Sequence, residues 1–349
     1  MSRECVICVP ARNEEHHLPL LLTGLANQDL PSGEALRVVV LANNCSDQTA
    51  QVARRLGDAL PQLRLRIREQ DWPAGIANVG LARGAAMAAG IAWLREEVGD
   101  GILISTDADA IPPPHWLSAI RHGFREGAEV VGGEIRIDDG DQPAVPDWLR
   151  AARARVGAYW AAVRELAHAI DPLPHDPPGC HGNHTGASLA ITLNAYQAAG
   201  GIPPIPSRED IALVRAVERQ GGRVRHPAAV WTVASARETG RAEGGMADEL
   251  RRWRHLAEND EPHLVPAAGH WLAVFLRRRA LRNMYRQRSF HAESGLPVAD
   301  LMAIAARSVN DIAFVAACED IVADAQATTG EIGRVTRELR AMLVTRSAA

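Results

Sequence analysis

The chain has 349 residues, of which 47% are hydrophobic and 23% charged, as in a folded globular protein rather than a disordered or collagen-like one. Its formal net charge of -4 at pH 7 disfavours a protein that wraps nucleic acid, because such domains usually carry a basic surface. Lysine is absent and all 38 basic residues are arginines, so Schiff-base chemistry on a lysine is excluded and phosphate recognition is left to guanidinium groups.

The first 135 residues alternate short β-branched runs with helical stretches. We expect strands at 5–9, 36–41, 63–68, 101–106 and 129–131, and helices at 15–26, 48–56, 76–97 and 114–125. This rhythm predicts an α/β fold with a mixed, mainly parallel sheet flanked by crossover helices. Ligands of such sheets bind where the strands end, so the segments 10–14, 43–47 and 107–109 should converge on one edge.

Beyond residue 138 the pattern changes to helix 147–167, a loop rich in proline and histidine at 171–184, and strand 187–191. Helices follow at 193–199 and 210–220, and a strand pair follows at 223–233. From about residue 245 the chain reads as helical, at 247–257, 271–287, 298–322 and 328–343. The arginine-flanked apolar stretch 271–276 is typical of a dimer interface or of a membrane-surface contact, and we expect a homodimer formed through these helices.

The five cysteines are widely spaced and odd in number, which favours reduced thiols and a cytoplasmic location. Cys5 and Cys8 form a C-x-x-C pattern, but they lie in a predicted strand that points them to opposite faces, which disfavours a redox or metal site. No apolar run approaches about 18 residues, so neither a membrane span nor a signal peptide is expected.

Two acidic residues spaced by one follow the apolar strand at 101–105, in the segment Thr106-Asp107-Ala108-Asp109. Carboxylates at this spacing can both reach a divalent ion, and hard oxygen ligands suit Mg²⁺ or Mn²⁺ bound to a substrate diphosphate. The alternative is a solvated acidic turn. The position of the motif directly after a buried strand favours the metal site, with Asp109 and Asp107 as the protein ligands.

The motifs together resemble glycosyltransferase family 2. The shared elements are V-P-A-R-N-E-E (9–15), N-N-C-S-D-Q-T-A (43–50), G-x-A-R-G (80–84), T-D-A-D (106–109), G-G-E-I (132–135) and R-E-D (208–210). The resemblance covers residues 4 to 255 and implies the GT-A fold and transfer of a sugar from a nucleotide diphosphate. It implies a transferase domain over residues 1–257, with a donor half at 1–137 and an acceptor half at 138–257, followed by a helical extension at 258–349.

On the donor side the resemblance assigns residues of the first two loops to the nucleoside, and assigns the D-A-D loop and arginines to the diphosphate. These nucleotide-sugar residues are Pro10, Ala11, Asn13, Glu14, Asn43, Asp47, Arg83, Asp107, Ala108, Asp109, Arg237 and Arg241. Asn43 and Asn44 replace the paired aspartates common in the family, and the alternative for them is a turn with positive φ. For Arg83 the alternative is a solvated helix arginine.

On the acceptor side the resemblance makes Asp210 the candidate general base, with Glu209 as its substitute. A carboxylate at the start of a helix can also be a simple N-cap. His181, Asn183 and His184 lie in a loop that resembles the acceptor segment, and Trp253 lies in an R-R-W-R stretch loosely similar to the Q-x-x-R-W element of processive members. A third metal ligand is open, with His181, His184, His226 and His255 as rivals.

The sequence therefore predicts a metal-dependent, inverting glycosyltransferase, with a UDP-sugar as donor and a small-molecule or saccharide hydroxyl as acceptor. One alternative is a noncatalytic protein that binds nucleotide sugars. The other is a sugar-phosphate nucleotidyltransferase, which the absence of lysine and of an N-terminal G-x-G-x-R loop disfavours.

Overall fold

The structure is a computed structural model that describes residues 4–31, 33–137, 145–234, 245–292, 295–322 and 327–347. These residues form two compact units. The first comprises Met1–Asp138, Cys180–Val217 and Arg223–Gly245, and the second comprises Asp139–Gly179, Glu218–Gly222 and Met246–Ala349. The predicted boundary at 257/258 remains a prediction, whereas the contacts join residues 139–179 to the C-terminal part of the chain.

The first unit contains ten strands and most of six α-helices within its described residues. The strands are β1 (Cys5–Ala11), β2 (Leu36–Asn43), β3 (Leu63–Gln70), β4 (Ile102–Ser105), β5 (Ala110–Ile111), β6 (Val130–Gly132), β7 (Glu134–Ile137), β8 (Leu189–Thr192), β9 (Val224–Arg225) and β10 (Trp231–Ala234). The helices are α1 (Leu18–Ala26), α2 (Thr49–Ala59), α3 (Val79–Glu97), α4 (Trp116–Arg125), α6 (Leu193–Ala198) and α7 (Glu209–Arg219). The second unit contributes α5 (Asp147–Ile170), between β7 and β8 in the chain.

Seven strands form the main sheet of the first unit, in the order β3-β2-β1-β4-β8-β6-β9. β1 is parallel to both β2 and β4, and β8 is antiparallel to β4 and β6. The prediction of a mixed, mainly parallel sheet flanked by helices is confirmed, and it agrees with the GT-A fold that the resemblance implied. β5, β10 and β7 form a second, three-stranded sheet, so the predicted strand pair at 223–233 is divided between two sheets.

The alternation of β1 explains how this sheet is buried on both faces. Ile7 and Val9 belong to one apolar cluster with Leu18 and Leu22 of α1. Val6 and Cys8 belong to a second cluster with Met87 of α3. Cys5 lies in the first cluster and Cys8 in the second, which confirms the opposite faces predicted for the C-x-x-C pair. Burial raises the pKa of the Cys8 thiol, as expected for a structural rather than a reactive cysteine.

The second unit is mainly helical. Besides α5 it contains α8 (Met246–Glu258), α9 (Ala268–Gln287), α10 (Val298–Arg307), α11 (Asp311–Glu319) and α12 (Ile332–Ser347), with a small sheet of β11 (Leu264–Pro266) and β12 (Thr329–Glu331). One core joins α5, α9 and α12, and another joins the end of α9 to α10 and α11. None of the helices in the part of the chain that the structure describes is both long and apolar enough to cross a membrane.

Two local features of this unit differ from the sequence prediction. The single helix predicted at 298–322 is two helices, because Asn310 is extended and its side chain accepts a hydrogen bond from the Ala313 amide at 3.0 Å, which caps a new helix. The pairing of β11 with β12 was not predicted, since three-residue strands carry almost no periodic signal.

Candidate active site

The carboxyl ends of β2, β1 and β4 lie side by side at one edge of the main sheet. Pro10 pairs with Leu41 on one side of β1, and Cys8 pairs with Ser105 on the other. The loops that follow these three strands therefore converge, as the sequence predicted. They carry the segments 10–14, 43–47 and 107–109.

The first two loops are joined through side chains that receive backbone amides. The Asn13 side-chain oxygen accepts from the Ser46 amide at 2.7 Å, and Asn13 itself has a φ of 54°. The Asp47 carboxylate accepts from the Glu15 amide at 3.0 Å with one oxygen and from the Thr49 amide at 3.0 Å with the other. Asn13 and Asp47 thus shape the candidate nucleoside loop, a contribution separate from any contact with a ligand.

Several predicted nucleoside residues are buried. Ala11 is part of the apolar core, so any contact from it to a ligand would be through its backbone. Glu14 is buried, and one of its carboxylate oxygens lies 3.0 Å from His17 Nδ1. Asn43 ends β2 and is also buried, whereas Pro10 is half-buried at the end of β1.

Asn44 follows the turn alternative raised for the paired asparagines. Its φ is 47°, and its side-chain amide donates to the Trp72 carbonyl at 2.7 Å while its side-chain oxygen accepts from the Trp72 amide at 3.3 Å. Asparagine tolerates this left-handed conformation better than most residues do. Asn44 therefore anchors the segment that follows β3, and Asn43 is the asparagine that remains a candidate for base recognition.

Arg83 on α3 is buried and forms the centre of the site. Its Nε donates to Glu209 Oε1 at 2.9 Å, and its Nη2 donates to Asp107 Oδ1 at 3.0 Å. Its Nη1 donates to Ser105 Oγ at 2.6 Å and to the Gly186 carbonyl at 2.9 Å. The alternative of a solvated helix arginine is wrong, because only 4% of this side chain is exposed.

The charge of Arg83 is maintained by two carboxylates. Burial alone would lower the pKa of this guanidinium, but the negative charges of Asp107 and Glu209 raise it above its ordinary value. The side chain of Glu209 is as buried as that of Arg83, at 5% exposure, whereas Asp107 is 40% exposed. Arg83 and Glu209 thus form a desolvated pair, and Asp107 faces the open side of the loop.

Asp210 lies beside this pair at the start of α7. Its Oδ2 accepts from the Gly186 amide at 2.7 Å, and its Oδ1 accepts from the Ile211 amide at 2.7 Å. The preceding Arg208 has a φ of 61°, an uncommon conformation for a residue other than glycine. Because Glu209 is held by Arg83, Asp210 is the better-placed candidate base of the two.

Gly186 is in contact with both acidic motifs, and sequence reasoning missed it. Its carbonyl accepts from Arg83 and its amide donates to Asp210. A Cβ at this position would lie 2.4 Å from the Arg83 guanidinium carbon, which explains why the residue is a glycine. Ser105 was also missed, since a serine that ends an apolar strand gives no signal of a buried arginine partner.

We expect Gly186→Ala to lower the free energy of unfolding by about 1–3 kcal/mol, as for other overpacked sites. The matched control is Gly84→Ala on α3, where the nearest atom to an added Cβ is 3.7 Å away. That substitution should raise stability by about 0.5–1 kcal/mol, because alanine favours a helix. Denaturant unfolding of both variants measures the contrast, and equal changes at the two sites would contradict the close contact.

The acidic loop after β4 alternates its side chains. Ala108 is buried in the apolar core, whereas Asp107 and Asp109 on either side are half-buried. A divalent cation bound to a diphosphate suits this pair, because the two carboxylates offer hard oxygen ligands and remain accessible. Their negative charge, which Arg83 offsets in part, also favours a cation over an anion at this loop.

The histidine loop is held by contacts within the first unit. His181 Nδ1 accepts from the Asn183 amide at 3.0 Å, and His184 Nδ1 lies 3.1 Å from His226 Nε2 in a hydrogen bond between rings. A Cβ at Gly132 would lie 2.4 Å from the Asn183 carbonyl oxygen, so the glycine pair of G-G-E-I permits this close packing. The roles of His181, Asn183 and His184 toward an acceptor remain predictions.

Three other predicted residues lie apart from these contacts. Trp253 belongs to α8 in the second unit, where it is buried and its Nε1 donates to Glu249 Oε1 at 2.7 Å. Arg237 and Arg241 lie outside the described residues. The acceptor role of Trp253 and the diphosphate role of the two arginines therefore remain predictions.

Comparison with known proteins identifies the family of the N-terminal region. Residues 6–150 match the family model described as glycosyl transferase family 2. This match confirms the resemblance drawn from the motifs over that stretch, and with it the expectation of a glycosyltransferase. No curated protein sequence is significantly similar to the chain.

Three solved structures illustrate the similarity. The mannosyltransferase PcManGT from Pyrobaculum calidifontis, in complex with GDP-Man and Mn²⁺, has 18% identity and a TM-score of 0.49 over 100% of this chain and 87% of that one. TarS from S. aureus, in complex with UDP-GlcNAc, has 15% identity and a TM-score of 0.46 over 91% and 90%. Glucosyl-3-phosphoglycerate synthase from Mycobacterium tuberculosis, in complex with Mn²⁺, UDP-glucose and phosphoglyceric acid, has 16% identity and a TM-score of 0.41 over 75% and 81%.

Proposed function

We propose that this chain, whose residues 6–150 match glycosyl transferase family 2, transfers a sugar from a nucleotide diphosphate to a hydroxyl of a small-molecule or saccharide acceptor. A UDP-sugar is the favoured donor, and the transfer inverts the anomeric centre. The observation that carries the proposal is the position of Arg83. This one buried residue contacts Asp107 of the D-x-D loop and Glu209 of the R-E-D motif, so the donor and base motifs belong to one site.

Mg²⁺ or Mn²⁺ is the cofactor of this proposal, held by Asp109 and Asp107. The ion would neutralise charge that develops on the leaving diphosphate. Arg83 keeps Asp107 at the mouth of the loop through a 3.0 Å ion pair, so the carboxylate is oriented before substrate arrives. Residues of the first two loops, Asn13, Glu14 and Asn43 among them, would bind the nucleoside.

Asp210 would take the proton from the attacking hydroxyl as the acceptor oxygen bonds to the anomeric carbon and the nucleoside diphosphate leaves. The Gly186 and Ile211 amides fix the orientation of its carboxylate, each at 2.7 Å. A positioned carboxylate can accept a proton late in the step, as bond cleavage raises the acidity of the hydroxyl. Fixed geometry supplies much of the rate enhancement in such a site.

A thermal-shift panel of UDP, GDP, ADP and CDP, each with and without Mn²⁺, tests the donor site. We expect UDP with Mn²⁺ to raise the melting temperature most, because a ligand at 100 times its Kd stabilises the folded state by about 2.7 kcal/mol. Asp109→Ala should abolish the metal-dependent part. A panel in which no nucleotide shifts the melting temperature, or in which Mn²⁺ makes no difference, contradicts the proposed donor site.

The best nucleotide then selects the sugar donors for a transfer assay over a panel of acceptors. Metal-dependent release of the nucleoside diphosphate in the presence of acceptor supports transfer. Nucleotide binding without any transfer or hydrolysis would instead indicate the noncatalytic nucleotide-sugar-binding alternative.

A further inference from the structure

The second unit contains a cavity of about 430 Å³ that the proposed transfer reaction does not use. It lies between the start of α5, the end of α8, the loop into β11 and the start of α12, and its lining includes Trp148, Arg155, Trp253, Asp260 and His263. All these residues belong to the second unit and are described by the structure. The volume is within the usual range for small-molecule sites.

Two indole rings supply the apolar part of this lining. Trp148 is half-buried at the start of α5, and Trp253 is buried on α8. The Trp253 Nε1 is directed to Glu249 Oε1 at 2.7 Å, which fixes the plane of the ring. Its centroid lies 6.5 Å from that of His263, at an interplanar angle of 45°. Rigid aromatic surfaces of this kind suit a ligand with one apolar face.

The polar part of the lining offers both donors and acceptors. Arg155 presents guanidinium N–H groups, and Asp260 and Glu261 present carboxylate oxygens. Burial, reinforced by the charge of Arg252, lowers the pKa of His263, so its ring is neutral near pH 7 and has one donor and one acceptor nitrogen. The His263 carbonyl is already bonded to the Ile332 amide at 2.9 Å, which holds this residue in the wall.

The charge balance of the lining selects against phosphates. Three carboxylates, from Asp260, Glu261 and Glu331, line the cavity with a single arginine, Arg155. Glu331 accepts from the Gly333 and Arg334 amides at 2.7 and 2.8 Å, so it is held at the start of α12 as an anion. A diphosphate placed among these carboxylates would be repelled, so the cavity does not suit a nucleotide sugar.

We propose that this cavity is a binding site for an uncharged saccharide. Each sugar hydroxyl both donates and accepts hydrogen bonds, which matches the mixed lining, and the C–H face of a sugar ring matches an indole surface. A quaternary ammonium ion would need aromatic faces and acceptors but would gain nothing from Arg155. The site is built from second-unit residues alone, so the proposal does not depend on the donor chemistry of the first unit.

Binding to the full-length protein tests the proposal by titration calorimetry and saturation-transfer NMR. The probes are the methyl glycosides of glucose, mannose and galactose, together with maltose and cellobiose. We expect at least one of them to bind saturably. Trp148→Ala and Arg155→Ala should each weaken that binding about tenfold, the equivalent of about 1.4 kcal/mol of lost contact free energy.

Trp160→Ala is the matched control, because Trp160 lies on the same helix, is 42% exposed and is outside the lining. It should leave saccharide affinity unchanged. Arg155 is exposed, so its variant should fold even where Trp148→Ala does not, and melting curves verify this.

The proposal is overturned if no probe binds, if Arg155→Ala binds as the native protein does, or if choline binds while the saccharides do not. Competition by UDP would also overturn it, because the saccharide would then occupy the donor site. Asp109→Ala should retain saccharide binding, and saccharide binding in a protein that binds no nucleotide would refute the proposed donor function while supporting this site.

Discussion

Replacing Arg83 with glutamine should lower the free energy of unfolding by about 3–5 kcal/mol, the usual cost of breaking a buried ion pair from one side. The variant would leave the Glu209 carboxylate, 5% exposed, without its guanidinium partner in a desolvated position. It would also remove donors to Ser105, to the Gly186 carbonyl and to Asp107. Denaturant unfolding followed by circular dichroism measures the loss.

Arg95→Gln is the control for the loss of an arginine from the same helix. Arg95 lies in the last turn of α3 and is exposed, so its removal should cost less than about 1 kcal/mol, mostly through the helix dipole. A double variant, Arg83→Gln with Glu209→Gln, should recover part of the lost stability, because the uncompensated charge is then absent. If Arg83→Gln is no more destabilising than Arg95→Gln, the desolvated pair is not a major stabilising contact.

Arg83→Gln should also weaken binding of the nucleoside diphosphate. The ion pair that orients Asp107 would be lost, and the D-x-D loop would no longer be linked to Gly186 and the start of α7. Titration calorimetry at a temperature where the variant is folded measures this effect separately from stability. Unchanged nucleotide affinity in the folded variant would restrict Arg83 to a structural role.

Asp210→Asn should reduce the rate of sugar transfer by about 10²–10⁴, the range that general base catalysis contributes. The amide is close in size to the carboxylate but cannot accept a proton from the acceptor hydroxyl. One oxygen remains to accept from the Gly186 or Ile211 amide, so the stability cost should be about 1 kcal/mol. Initial rates with the donor identified by the thermal-shift panel measure the effect.

The affinity of Asp210→Asn for the donor nucleotide serves as the internal control, and we expect it to equal that of the native protein. A loss of binding that parallels the loss of rate would mean that Asp210 organises the site rather than accepting a proton. Full turnover in the variant would sink the base assignment. Glu209→Gln is a useful contrast, because it should affect stability through Arg83.

The donor half of the site was largely predictable because its signals are local. The apolar runs that became β1, β2 and β4 are continuous in the chain, and the polar segments that follow them had to lie at the strand ends. The D-x-D motif was recognised by its place after a buried strand. Asn44 could be assigned in advance only to two alternatives, since base recognition and a positive-φ turn use the same residue type.

The network around Arg83 could not be predicted. Arg83 and Glu209 are 126 residues apart in the chain, and a carboxylate at a helix start looks the same in sequence whether it caps the helix or neutralises a buried arginine. The joining of residues 139–179 with 246–349 into one unit has the same origin. The apolar faces of α5, α9 and α12 predict that each is covered but not which helix covers it.

The sequence by itself determined the α/β class, the strands that carry the candidate donor loops, the acidic motif and the family of the N-terminal region. Only the tertiary structure decided that Arg83 is buried between two carboxylates, that Gly186 links it to Asp210, and that Trp148 and Trp253 share a cavity. The reason is physical. Periodicity and turn chemistry are properties of neighbouring residues, whereas the partner of a buried charge or ring is set by packing between segments far apart in the chain.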